Sequence, residues 1–130
     1  LSEASVAAIT SMHLVEHLPH ETLLHLLDEA RRVLQSGGVL ILETPNPENI
    51  LVGACTFYTD PTHVRPIPPT LLQWLLKSRG FEEPAIERLT ENRAVPDLSP
   101  VSSDTPGAEQ INQMIEWFTA PPDYAVIARK

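Results

Sequence analysis

From Gly38 to Glu43 the chain reads Gly-Val-Leu-Ile-Leu-Glu, a continuous apolar run without the alternation of a one-sided strand. Such a run predicts a strand buried on both faces of a parallel sheet. A parallel strand needs a partner reached by a crossover, and one precedes it. Val6-Ala-Ala-Ile-Thr10 is a second apolar run, too short for a helix, and reads as a buried strand. Between the two, Leu23, Leu24, Leu27, Ala30 and Leu34 fall at helical spacing. Pro19 suits the first turn of that helix and pushes Leu18 out of the helical region. Glu21 near its start and Arg31 and Arg32 near its end complement the helix dipole. Gly37 is placed to cap its C-terminus. Strand, helix and strand make a βαβ unit, whose crossover is right-handed.

Thr44-Pro-Asn-Pro-Glu-Asn49 ends the second strand at its carboxyl end, where open α/β sheets bind ligands. Residues 50–59 suggest a short helical turn, and Asp60-Pro-Thr-His-Val-Arg-Pro66 a loop pinned by prolines. Pro68 and Pro69 open a second helix, striped by Leu71, Leu72, Leu75 and Leu76 and stopped by Gly80. Ala85–Leu89 reads as a strand. Residues 92–107, rich in Pro, Ser and Asp, read as a flexible loop. Ile111, Met114, Ile115 and Phe118 mark a last amphipathic helix over 108–118, ended by Pro121 and Pro122. Tyr124–Ala128 reads as the closing strand. Trp74 and Trp117 each lie in an amphipathic helix and read as packing residues. The 130 residues form one α/β domain.

A formal net charge of -8 leaves no basic footprint for nucleic acid or an anionic membrane. No apolar run reaches the length of a membrane span. A single cysteine, Cys55, excludes an internal disulfide and fits a reducing compartment such as the cytoplasm.

His13-Leu-Val-Glu-His-Leu-Pro-His20 carries the His-x-x-Glu-His spacing of one class of zinc peptidase helix. That chemistry needs both histidines on one face of a rigid helix. Here the motif follows a strand and precedes Pro19, so it lies in a turn, and nothing marks Glu87 or Glu91 as a third ligand. No metal site is expected on these grounds. His20 and His25 read as solvent-facing helix residues, whereas His13 and His17 sit where an α/β sheet places its ligands.

The order of strand, Ser-Met-His-Leu-Val-Glu-His-Leu-Pro, helix ending Ala-Arg-Arg-Val-Leu-Gln-Ser-Gly-Gly, and Val-Leu-Ile-Leu-Glu-Thr-Pro-Asn resembles the C-terminal half of a class I S-adenosylmethionine-dependent methyltransferase. Asn-Pro-Glu-Asn with Thr-Phe-Tyr-Thr-Asp-Pro-Thr-His is similar to methyltransferases of bacterial surface-polysaccharide (O-antigen type) clusters. The resemblance implies a partial Rossmann-like sheet keeping the last four strands in the order 4-5-7-6, the last strand antiparallel, with flanking helices. It also implies S-adenosylmethionine as cofactor and a small-molecule or glycan acceptor. Enzymes of this kind hold the cofactor partly with a glycine-rich turn after their first strand. Among the five glycines, Gly37, Gly38, Gly53, Gly80 and Gly107, none forms such a turn. The expectation is therefore a portion lacking the first three strands, inactive by itself. Its Val6–Thr10 strand would have a bare apolar edge, a place for self-association.

By the same resemblance, Ser11, Met12 and His13 line the cofactor. His63 suits a general base because imidazole titrates near neutrality, and Asp60 could orient it. His17 is a second candidate for that role. Glu16, Asn46, Asn49, Asp60 and Arg65 are candidate acceptor contacts, Arg65 for an anionic group. Each has a plainer reading: Met12 as core, Asp60-Pro-Thr as a turn cap with His63 exposed, the asparagines as turn residues, Arg65 as a surface charge. Two rival functions are a non-catalytic methyltransferase-like interaction or dimerisation module, and a zinc hydrolase built on the His-x-x-Glu-His stretch.

Overall fold

The computed structural model describes residues 1–90 and 96–130. Glu91 and residues 92–95 of the expected flexible loop lie outside the described residues. Residues 96–107 carry no helix or strand.

Four strands make one mixed sheet in the order β1-β2-β4-β3. β1 (Val6–Met12) runs parallel to β2 (Leu34–Pro45), with Ala8 opposite Val39 and Met12 opposite Glu43. β4 (Asp123–Arg129) lies antiparallel to both of its neighbours, β2 and β3 (Glu82–Leu89). This is the strand order, with its antiparallel final strand, that the resemblance implies. β1 is an edge strand.

α1 (His20–Val33) makes the crossover between the parallel strands. Its stripe of Leu23, Leu27 and Ala30 joins Leu40 and Leu42 of β2 in the core. α3 (Pro69–Ser78) adds Leu72, Leu75 and Leu76, and β4 adds Tyr124, Val126 and Ala128. Full burial of each such leucine contributes about 1.5–3 kcal/mol. α3 ends in a Schellman motif: the N–H of Phe81 bonds the Leu76 carbonyl and that of Gly80 bonds the Lys77 carbonyl, both at 3.1 Å. Gly80 has the left-handed φ of +80° that this ending needs, so its expected role as the stop is met.

Three expectations need correction. The first is that β2 is buried on both faces. Leu40 and Leu42 are buried, but Val39 and Ile41 are only partly so, because the core helices α1 and α3 share one face of the sheet. The second is the Gly37 cap. α1 stops at Val33, and Leu34 is already extended. Gly37, at φ +73°, instead forms a turn whose N–H bonds the Lys130 carbonyl at 2.8 Å. The third is the tryptophans: Trp74 is 62% exposed and Trp117 53%. Trp74 lines an open cleft with Gln73, Lys77 and Phe81, and α4 (Ala108–Thr119) buries only Ala108. Amphipathic spacing identifies a face, not whether anything covers it.

Among the described residues no helix is long and apolar enough to cross a membrane.

Candidate active site

The parallel strands β1 and β2 present their carboxyl ends side by side. Ser11 pairs with Leu42 and Met12 with Glu43, and the chain then turns at His13, whose φ is +48°. A one-turn 3-10 helix follows over Val15–His17. Pro19, which must leave Leu18 extended, cuts that helix short. The His-x-x-Glu-His stretch therefore lies in a strand-to-helix turn, as the sequence argues.

The turn wraps around Glu16, whose side chain is fully buried. One carboxylate oxygen meets Nδ1 of His13 at 3.2 Å, and the other accepts the Thr44 hydroxyl at 2.9 Å. His13 also reaches Glu43 with Nε2 at 3.3 Å, so its ring bridges two carboxylates. Ser11 Oγ is buried with no partner, and Met12 is 55% exposed. The core reading of Met12 is therefore set aside.

The loop over 60–66 docks on this turn through main-chain bonds. The N–H groups of Val64 and Arg65 point at the Glu16 carbonyl, at 2.9 and 3.4 Å. Asp60 accepts both the N–H and the hydroxyl of Thr62, at 2.8 and 2.6 Å. Those bonds, the hydroxyl first, hold its carboxyl below the usual aspartate range, with the nearby His63 and His17 adding a smaller pull. Asp60 is therefore a turn cap. Its carboxylate lies 3.9 Å from Nε2 of His63, too far for a hydrogen bond.

His63 is not merely exposed, because its side chain is only 12% accessible. Nδ1–H donates to the Phe57 carbonyl at 2.6 Å, and the ring packs against Phe57 and, edge-on, against His17. Nδ1 of His17 lies 2.9 Å from the Thr62 hydroxyl. That hydroxyl already donates to Asp60, so it accepts here and fixes the proton on Nδ1. Both rings are thus held with Nδ1 as donor. One ligand-type atom each of Glu16, His17 and His63 lie within 4.8 Å of one another. Chain separation hid this cluster: His63 is brought in by a loop that no helical or strand period connects to His17.

The remaining candidates have internal roles. Asn46 is buried, donates to the Pro121 carbonyl at 2.8 Å and accepts the Glu48 N–H. Asn49 caps α2 (Ile50–Ala54) by accepting the N–H groups of Leu51 and Val52, and donates to the carbonyls of Phe118 and Ala120. The geometry favours the turn reading for both. Arg65 donates to Nδ1 of His20 at 2.8 Å, while its buried Nε has no partner. Glu87 lies on exposed β3, apart from the cluster. Sequence reasoning missed Thr44, Thr62 and the Phe57 carbonyl, which orient the cluster. Only Thr62 carried a signal, the Asp-x-Thr pattern of a side-chain-capped turn.

Residues 2–83 match the profile of a family described as a methyltransferase domain. A curated Mycolicibacterium smegmatis protein, named as a probable S-adenosylmethionine-dependent methyltransferase, is 34% identical over 82 residues. That match covers 63% of this chain and 31% of the relative. The crystal structure of a SAM-dependent methyltransferase from Archaeoglobus fulgidus superposes with a TM-score of 0.78 at 32% identity, covering all of this chain and 62% of that one. A SAM-dependent methyltransferase from Thermotoga maritima shares the fold, with a TM-score of 0.66 at 17% identity, over 100% of this chain and 58% of that one. The chain thus spans about a third of its curated relative and under two thirds of the solved ones.

Proposed function

The chain belongs to the methyltransferase domain family, and from that premise we propose that it is the acceptor-side portion of an enzyme that moves a methyl group from S-adenosylmethionine to a small-molecule or glycan acceptor. In this reading, strands preceding β1 and a glycine-rich turn complete the cofactor pocket, and the 130 residues alone are inactive. The four-strand order and the partial coverage of the solved relatives support it. The Asp-Pro-Thr-His resemblance supports a polysaccharide acceptor of bacterial type, methylated in the cytoplasm.

The carboxyl end of β1 fits the cofactor. Met12 offers an apolar side chain that the core does not use, and the Ser11 hydroxyl is a buried polar group without a partner. These two, with the bend at His13, would hold it. When bound, the cofactor supplies a methyl group already activated by a sulfonium. The chain's own task is then to position the acceptor and take its proton.

The observation that carries the reading is the proton placement on His63. With Nδ1–H committed to the Phe57 carbonyl, Nε2 is the nitrogen left to accept, on a ring that lies against His17 in a cluster with Glu16. That nitrogen accepts the proton of an acceptor hydroxyl as the hydroxyl oxygen attacks. Arg65, on the same loop, suits an anionic group on the acceptor.

The test is a titration of the chain with S-adenosylhomocysteine followed by amide NMR. Shifts should cluster at residues 11–17 and at the adjoining end of β2. No shifts at millimolar ligand, or shifts centred elsewhere, would count against the cofactor-side assignment.

A further inference from the structure

We propose that Glu16, His17 and His63 form a binding site for a divalent transition metal of the zinc class. The sequence pattern alone pointed away from a metal, because His13 and His17 cannot share a helix face. The fold supplies a different set. One ligand-type atom from each of the three residues lies within 4.8 Å of the others, and His13 is excluded because its ring bridges Glu16 and Glu43.

Three features separate this cluster from a chance grouping. Both histidines have Nδ1 engaged in the outer contact that metal-bound imidazoles ordinarily make, one to a backbone carbonyl and one to a threonine hydroxyl. With Nδ1 so engaged, Nε2 is the nitrogen each ring would offer to an ion. Glu16 is fully buried and carries one hydroxyl and one imidazole contact, so its carboxylate has lone pairs to spare. A buried carboxylate is stabilised by a cation beside it. The turn and the loop that carry the two rings are joined by the main-chain bonds to the Glu16 carbonyl.

Zinc–nitrogen bonds near 2.0 Å put tetrahedral donors about 3.3 Å apart, so the cluster closes by no more than about 1.5 Å on binding. Small rotations of the two rings and the carboxylate supply that. Two imidazoles and a carboxylate are the ligand set of a catalytic zinc with its fourth position open. An ion on Nε2 of His63 takes the lone pair that the base role uses. With the ion held by these three residues, it would polarise an acceptor oxygen whose proton would leave to solvent; without it, His63 would take that proton. This consequence rests on the methyltransferase reading, whereas the ion's assignment rests on the ligand geometry alone.

The experiment is zinc chloride titrated into the chelator-stripped chain in competition with a chromophoric chelator. One zinc per chain is expected, with affinity falling at least about tenfold in His17→Gln and in His63→Gln and unchanged in His25→Gln. Should a variant lose its fold, the wild-type chain gives a second readout. The ring nitrogen NMR signals of His17 and His63 should move on adding zinc, and that of His25 should not. Absence of binding at millimolar zinc, equal binding by all variants, or ring shifts confined to His13, His20 or His25 would overturn the assignment. Failure of the zinc titration leaves the cofactor titration unaffected, and the reverse also holds.

Discussion

Asn49 is the position where a structural role can be weighed against a ligand role most directly. Its side chain makes four hydrogen bonds within the chain: two accepted from Leu51 and Val52, at 2.9 and 3.2 Å, and two donated to Phe118 and Ala120, at 3.3 and 2.6 Å. Loss of a helix N-cap costs about 1 kcal/mol. Each lost amide–carbonyl bond costs about 1 kcal/mol more, because Asn49 is buried and water does not replace it freely. Asn49→Ala should therefore destabilise the chain by about 3 kcal/mol. Asn49→Ser keeps an oxygen able to cap α2 but cannot reach the carbonyls some seventy residues away, so it should cost about 2 kcal/mol. Domains of this kind are stable by only about 5–15 kcal/mol. With a urea m-value of about 1–3 kcal/mol/M, the Ala variant's midpoint should fall by at least about 1 M. The assay is urea unfolding followed by circular dichroism. An Asn49→Ala chain within about 0.5 kcal/mol of the parent would refute the structural account, and the side chain would then be free for an acceptor.

Other consequences are as direct. Burial, with smaller contributions from the charges of Glu16 and Glu48, raises the Tyr124 phenol far above its ordinary 10.0. A raised phenol stabilises the fold fully below the unfolded value and loses that contribution as pH climbs past it. Alkaline difference spectra should thus show one of the two tyrosines ionising only with unfolding, and early titration of both would contradict this. A Cβ on Gly38 would come 2.9 Å from the Gln35 carbonyl oxygen and 3.1 Å from that of Ala7. Gly38→Ala should cost about 1–3 kcal/mol, read from the thermal midpoint. Among the described residues β1 has one unpaired edge, so sedimentation velocity should show concentration-dependent association, weakened in Thr10→Lys. A monomer across a wide concentration range would remove that proposal.

The βαβ unit, α3 with its glycine stop and the closing strand were legible because their signals are local: apolar period, proline at a start, glycine at an end. The strand order came from the resemblance, not from periodicity. Gly37 misled because a glycine shortly after a helix serves a cap and a strand turn equally well. The tryptophans misled because a helix's apolar stripe does not reveal whether a neighbour covers it. Asp60 and the two asparagines could be read as polar groups near a ligand site or as turn residues, and their partners lie from 2 to 75 residues away. The pairing of His17 with His63 depends on a loop folding back across α1's entry, which only tertiary structure reveals. Thr44 and the Phe57 carbonyl left no trace in the sequence.

The main-chain bonds from Val64 and Arg65 to the Glu16 carbonyl carry a mechanical consequence. They fasten the proline-braced loop to the segment that holds its partner histidine. A displacement of that segment drags the loop with it, so the spacing between the two rings changes less than the position of either relative to the sheet. Motion at this end of the molecule would then shift the pair as a single body towards or away from a ligand resting on β1.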